Sequence, residues 1–384
     1  MKLLLIVMKK LLKILAIVFL FTSILVLGLF ALIKYKTSNI KDEKNLAQSL
    51  DNLGNKFIKE GNSNGLVVGI YKNGIVQIKG YGTKIEGKNI KPDGTTLFEL
   101  ASTSKLFTTS TLQLLVDEKQ LKLEDKLQPI LKDKVVIPNN AKNTTLQHLA
   151  THLSGFPSLP TSFINKMTDE KNPYKDLVTQ DIYNYLKNCK GKKPEGEFEY
   201  SNFGMGLLGH LLELKTNIKY EELVKSKLLK PLNMNSTFVT IDATNKKNII
   251  QGYDENNNKA PIWKDDVLTG AGSFLSNAND MIEFIKANLN EKETKLSKSL
   301  IKTHQQQLNG ETGLGWILPS NADKLLGNES IVWHNGMAGG YASFLAIDKK
   351  NNYGVIVLSN KAVDVTKLGM KVAIAARTQS WKSN

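Results

Sequence analysis

Ser102 and Lys105 stand three residues apart in the stretch Phe98-Glu99-Leu100-Ala101-Ser102-Thr103-Ser104-Lys105. On a helix that spacing puts both side chains on one face, about one turn from each other. An amine held beside a hydroxyl can help remove its proton, which is the chemistry of a serine nucleophile. The spacing alone discriminates little, because Ser38…Lys41 and Ser299…Lys302 repeat it. Two further groups follow along the chain. Tyr200-Ser201-Asn202 lies between Phe198-Glu199 and a glycine-rich helix start, and His334-Asn335-Gly336-Met337 lies at the end of an apolar run. Tyr-x-Asn also recurs at Tyr71-Lys72-Asn73, so the signal lies in the ordered set and its context.

These residues need elements to hold them. Leu46, Leu50, Leu53 and Phe57 recur at helical spacing. Leu66–Tyr71 and Ile75–Ile78 flank Lys72-Asn73-Gly74, the signature of a β-hairpin with an Asn-Gly turn. After Lys105, the residues Leu106, Phe107, Leu112, Leu114 and Leu115 predict a buried helix, and the chain from 120 to 265 reads as helix and loop. Strand character returns at Ile331–His334, Tyr341–Ile347 and Tyr353–Leu358, and Thr366–Arg377 predicts a closing helix. The pattern predicts an α+β fold: an antiparallel sheet flanked by the terminal helices, within a unit spanning 45–384. A mostly helical lobe, roughly 106–268, is inserted in it. Ser102 falls where the chain passes from one lobe to the other, and clefts between lobes are favoured sites.

Ile14 to Ile33 carries no charge, and twenty helical residues at 1.5 Å rise span a bilayer core. Lys9, Lys10 and Lys13 precede the run, which favours a cytoplasmic N-terminus. The run is long for a signal peptide and shows no small-x-small cleavage site near its end. Residues 1–36 are therefore expected to be a membrane anchor, a single transmembrane helix, with the cleaved signal segment as the alternative. Residues 37–44 are then a linker, and the remaining chain lies outside the cytoplasm at the cell membrane. Net charge is +15, with six lysines among the first 36 residues. No Lys/Arg-rich block with interleaved aromatics argues for nucleic acid. Cys189 is the only cysteine, so no disulfide can form within the chain. His148 and His152 are four apart, but no Glu lies inside the pair as in His-Glu-x-x-His; helix packing and capping is the expectation. Gly204-Met205-Gly206-Leu207-Leu208-Gly209 fits Gly-x-Gly-x-x-Gly, yet no buried strand precedes it, so it reads as close helix packing.

The order Ser-x-x-Lys, Tyr-x-Asn, His-x-Gly resembles the serine β-lactamase and penicillin-binding protein superfamily. In detail it resembles the class C branch, with its D-alanyl-D-alanine carboxypeptidase, esterase and D-aminopeptidase relatives. Leu146–Gly155, Gly270–Ser276 and Gly313–Trp316 resemble further segments of that family, so the likeness covers roughly residues 46–380. The resemblance implies acyl transfer on a β-lactam, a D-Ala-type peptide or an ester, with no cofactor and no metal. Ser102 would form the acyl-enzyme, and Lys105 and Tyr200 would share the proton transfers, one of them with a depressed pKa from clustered cations. Asn202 would hold Lys105 and the substrate amide, and the N–H groups of Ser102 and Met337 would hold the oxyanion. His334, Asn335, Gly336 and Met337 would line the substrate. His334 would meet a substrate carboxylate if protonated, or hydrogen-bond Tyr200 if neutral. The chain departs from the family at Ala101, where Gly is usual, and at Asn335 and Met337, where hydroxyl residues are common. It has His334 where class C β-lactamases carry Lys. These departures favour an ester or peptide over a lactam. A module of another class, one that binds penicillin or cell wall and never turns over, would acylate stoichiometrically without releasing product.

Overall fold

The computed structural model describes residues 45–264, 266–308 and 311–381. The expected anchor and linker lie outside these residues. Among the described residues, no helix is long and apolar enough to cross a membrane.

Five strands form one antiparallel sheet in the order β2-β1-β5-β4-β3. They are β1 (Gly65–Lys72), β2 (Ile75–Gly82), β3 (Ile331–Met337), β4 (Ala342–Asp348) and β5 (Tyr353–Ser359). The β1–β2 hairpin pairs Lys72 with Ile75, so Asn73 and Gly74 are its two-residue turn. Both have positive φ, 50° and 86°, as a primed turn requires. The sheet joins the two ends of the chain: β1 pairs with β5, Leu66 opposite Ser359.

Alternation along the strands gives the sheet two apolar faces. Leu66, Val68, Ile70, Phe344, Val355 and Val357 pack with Leu46 and Leu50 of α1 (Leu46–Lys59), the helix the leucine spacing predicts. The closing helix α5 (Thr366–Thr378) covers the same face with Val372 and Ala376. Asn45 bridges Ser380, which ties the two helices' outer ends together. On the other face, Val67, Leu345, Ile356 and Leu358 pack against Phe284 and Ile285 of α4 (Ala278–Leu289).

A further apolar cluster gathers the short helices of the middle of the chain around α3 (Asn202–Thr216), through Leu207, Leu208 and Leu211. The helix α2 (Lys105–Asp117) belongs to both cores. Its Leu112 and Leu115 enter the helical cluster, while Leu106 and Phe107 enter the sheet cluster. Phe107 meets Phe274 and Phe284 edge-on, at 5.3 and 5.2 Å between ring centroids. A helix shared by two cores is buried on all sides, and α2 is buried from Lys105 to Leu115. Its N-terminal end therefore sits at the junction of the two clusters, held from both.

Candidate active site

Ser102 lies in a single 3-10 turn, Ala101–Ser104, that runs directly into α2. The turn is entered through Ala101 at φ 48°, left-handed backbone that costs an L-residue on the order of 1–2 kcal/mol. Its neighbours hold it there. Leu100 N–H donates to Phe274 O at 2.8 Å, and Ser343 Oγ on β4 donates to Leu100 O at 2.6 Å. Thr103 Oγ1 and Ser343 Oγ are 2.7 Å apart. Strand β3 presses on the same turn: a Cβ on Gly336 would come within 2.4 Å of Leu100 O and 2.8 Å of Ser102 N. Glycine there is a requirement of close backbone approach.

Lys105 is fully buried, and its ammonium has three acceptors. Nζ donates to Ser102 Oγ at 2.8 Å, to Asn202 Oδ1 at 2.8 Å and to Ala271 O at 2.6 Å. Three acceptors match the three N–H bonds of a charged lysine. Asn202 opens α3, whose N-cap is Ser201: Ser201 Oγ accepts from Gly204 N–H at 2.8 Å. The cap thus fixes Asn202 against Lys105, and the residue before it, Tyr200, against Ser102.

Tyr200 is hydrogen-bonded to Ser102, and burial pushes its phenol up to about 12. Of the two groups expected to include one with a depressed pKa, Tyr200 is therefore not that one. Lys105 Nζ does lie 5.1 Å from the Tyr200 ring centroid, but His334 adds no charge. Burial, with Lys105 close by, pushes His334 down to about 3, so the ring is neutral at ordinary pH. Its Nδ1 donates to Asn335 O at 2.5 Å, which leaves Nε2 as the lone-pair nitrogen. Nε2 is buried without a hydrogen-bond partner, so the expected bond to Tyr200 is not formed.

The structure brings Ser102, Lys105, Tyr200 and Asn202 together and sets His334 beside Tyr200, ring centroids 6.3 Å apart. Ser102, Asn202 and Met337 line one cavity of about 180 Å³, walled also by Glu99, Tyr174 and Trp263. Asn335 does not line it. Its Nδ2 donates to Thr366 Oγ1 at 2.8 Å, tying β3 to α5.

His152 was not anticipated here. It lies beyond its helix at φ 59°, and its ring packs on Tyr200 with centroids 4.4 Å apart. Its Nδ1 accepts from Ser201 N–H at 3.1 Å, so the neutral ring carries its proton on Nε2. Burial first, then Lys105 and His334, hold it well below the usual imidazole range. Capping does describe His148, whose Nδ1 engages Thr145 in a capping box. The sole signal for His152 was its place in the Leu146–Gly155 segment. Ala271 O, the third acceptor of Lys105, left no side-chain signal at all.

The Beta-lactamase family model matches residues 50–377. Protein flp of Staphylococcus aureus (strain MRSA252) is 28% identical over 326 residues, which cover 82% of this chain and 62% of that protein. Unguisins hydrolase ungD' of Aspergillus campestris is 26% identical over 306 residues, 73% of this chain and 55% of that protein. The chain thus spans about three fifths of the length of these curated relatives. Among solved structures, a class C beta-lactamase superposes with a TM-score of 0.75 at 22% identity, over 91% of this chain and 98% of that one. A beta-lactamase/D-alanine carboxypeptidase from Pseudomonas syringae gives 0.72 at 23% identity, over 86% and 98%. At such identities the likeness concerns the fold.

Proposed function

The chain belongs to the Beta-lactamase family, and from that premise we propose that it is a serine hydrolase working through an acyl-enzyme on Ser102. The observation that carries this reading is the contact of Lys105 Nζ with Ser102 Oγ at 2.8 Å, inside a site that also holds Tyr200. Ser102 Oγ attacks the substrate carbonyl. Its proton passes to Tyr200 Oη as the phenol gives its own proton to the departing atom. A tyrosine kept as a phenol by burial suits this exchange, since it needs a proton to give. Lys105 stabilises the negative charge gathering on Oγ and Oη. The carbonyl oxygen becomes an oxyanion between the N–H groups of Ser102 and Met337, brought near each other by the Gly336 contact. Water reverses the sequence and frees the acid.

The substrate bond is an ester, or an amide whose leaving group bears no carboxylate, in preference to a β-lactam. Among the described residues that line the cavity with Ser102, none is a lysine or arginine. The chain's single arginine, Arg377, donates to Gly327 O. His334, beside Tyr200, is neutral and offers a substrate carboxylate no charge. We take residues 1–36 as a membrane anchor and residues 45–384 as the hydrolase unit, which puts the reaction on the outer side of the cell membrane.

One experiment tests the whole. Wild type and Ser102→Ala are incubated with a fluorescent fluorophosphonate. In parallel, wild type is assayed on nitrocefin, a D-Ala-D-Ala peptide, a D-amino-acid amide and a nitrophenyl ester. Labelling that depends on Ser102, with the ester or the D-amino-acid amide turned over fastest, is the expected result. Equal labelling of Ser102→Ala refutes the nucleophile, and a dominant nitrocefin rate refutes the substrate order.

A further inference from the structure

A second cavity, of about 550 Å³, adjoins the catalytic groups on the side away from Met337. Tyr200 and His334 form one wall, and His152, Phe198, Ile317, Leu318 and Trp333 form much of the rest. Ser102, Asn202 and Met337 line only the smaller cavity. His334 and Met337 are three strand residues apart, about 10 Å. The two cavities therefore meet the catalytic groups at different residues, the smaller at Ser102 and the larger at Tyr200.

Acyl transfer has two ends. The acyl group stays on the serine, while the leaving group takes its proton from the general acid and so must reach it. Tyr200 lines the larger cavity and does not line the smaller one. We propose that the larger cavity is the leaving-group subsite, and that it selects an apolar alcohol or amine that is neutral or cationic and lacks a carboxylate. The inference rests on the serine hydrolase reading above.

Two observations carry the selectivity. The walls are mainly aliphatic and aromatic, which rewards burial of an apolar group. No lysine or arginine lines the cavity, whereas Glu311 and Asp323 do, so the electrostatic field there opposes a carboxylate and favours an ammonium group.

Four acetate esters share one acyl group and differ in the alcohol: ethyl, benzyl, 4-(trimethylammoniomethyl)benzyl and 4-carboxybenzyl. Their kcat/KM values are compared for the full chain and for Glu311→Lys. Glu311 is exposed and has no part in the proton transfers. The benzyl and cationic esters are expected to exceed ethyl acetate by about tenfold. The carboxylate ester should fall about tenfold below benzyl. Glu311→Lys should shift the cation-to-carboxylate ratio by about fivefold toward the carboxylate, less so in high salt. If Ser102 labels but the four esters turn over alike, or none turns over, the subsite is overturned and the nucleophile stands. A ratio unmoved by Glu311→Lys overturns it too. Loss of Ser102-dependent labelling is a separate result, and it removes the underlying reading.

Discussion

At the scale of single residues, the two departures with the largest physical effect are Ala101 and His334. Ala101 holds a left-handed backbone that glycine adopts without a Cβ clash. Ala101→Gly is expected to stabilise the fold by about 1 kcal/mol, read as an increased urea midpoint at unchanged slope. His334 removes a cation from the strand beside Tyr200. His334→Lys is expected to raise kcat/KM for a carboxylate-bearing peptide relative to a neutral ester by about tenfold. An unchanged ratio would mean that the charge at this position does not set the preference. That Ser102, Lys105, Tyr200 and Asn202 lie together was legible because the ordered set is a sequence pattern and each contact is made by a side chain. His152 was not, because its partner Ser201 lies 49 residues on and its positive φ takes the ring off the helix face. The protonation state of Tyr200 also escaped the sequence. Counting nearby cations predicts a lowered phenol, but burial is the larger effect, and burial is a property of the packed site.

At the scale of elements, the decisive contact is between β3 and the turn that carries Ser102. Gly336→Ala would drive a methyl group into Leu100 O and Ser102 N, so the turn or the strand must retreat. A shift of this kind is expected to cost kcat about 100-fold or more while the protein still folds. Circular dichroism and the labelling rate of Ser102 read the two separately. The hairpin of β1 and β2 was legible because Asn73-Gly74 is a local instruction whose φ values follow from residue type. The amphipathic face of α1 was legible from spacing, and α5 was legible as a closing helix. The sheet order was legible only as two ends meeting. Which strand neighbours which depends on pairs such as Val67 with Leu358, and nothing local encodes that register. The double membership of α2 was similarly hidden. Leu106, Phe107, Leu112, Leu114 and Leu115 say that the helix is buried, and only the packed structure says that two cores share it.

At the scale of the whole molecule, buried neutral histidines link stability to pH. His334 and His304 are both held down to about 3, mainly by burial. His304 Nε2 lies 2.8 Å from Asn288 Oδ1, and its ring packs on Trp316 at 4.7 Å between centroids. An unfolded histidine titrates near 6.5. Their depressed folded pKa values therefore leave stability intact above about pH 6.5, and it is lost progressively as pH falls from there toward about 3. The melting temperature is expected to drop between pH 7 and pH 4, and His304→Gln is expected to flatten that slope. A slope unchanged in His304→Gln would assign the acid sensitivity to other groups. The division into a sheet flanked by end helices and a helical middle was the most legible feature at this scale, because strand-like and helix-like stretches are segregated along the chain. The pairing of β1 with β5 carries one more consequence, for how the protein is made. Leu66 waits for Ser359 while nearly three hundred intervening residues leave the ribosome. The hairpin β1–β2 emerges with a bare edge well before β5, and the Gly336 strand that confines Ser102 follows the Ser102 turn by more than two hundred residues. A nascent chain can thus expose an unpaired strand edge until β5 is made, and the turn that carries Ser102 stays unconfined until Gly336 is made.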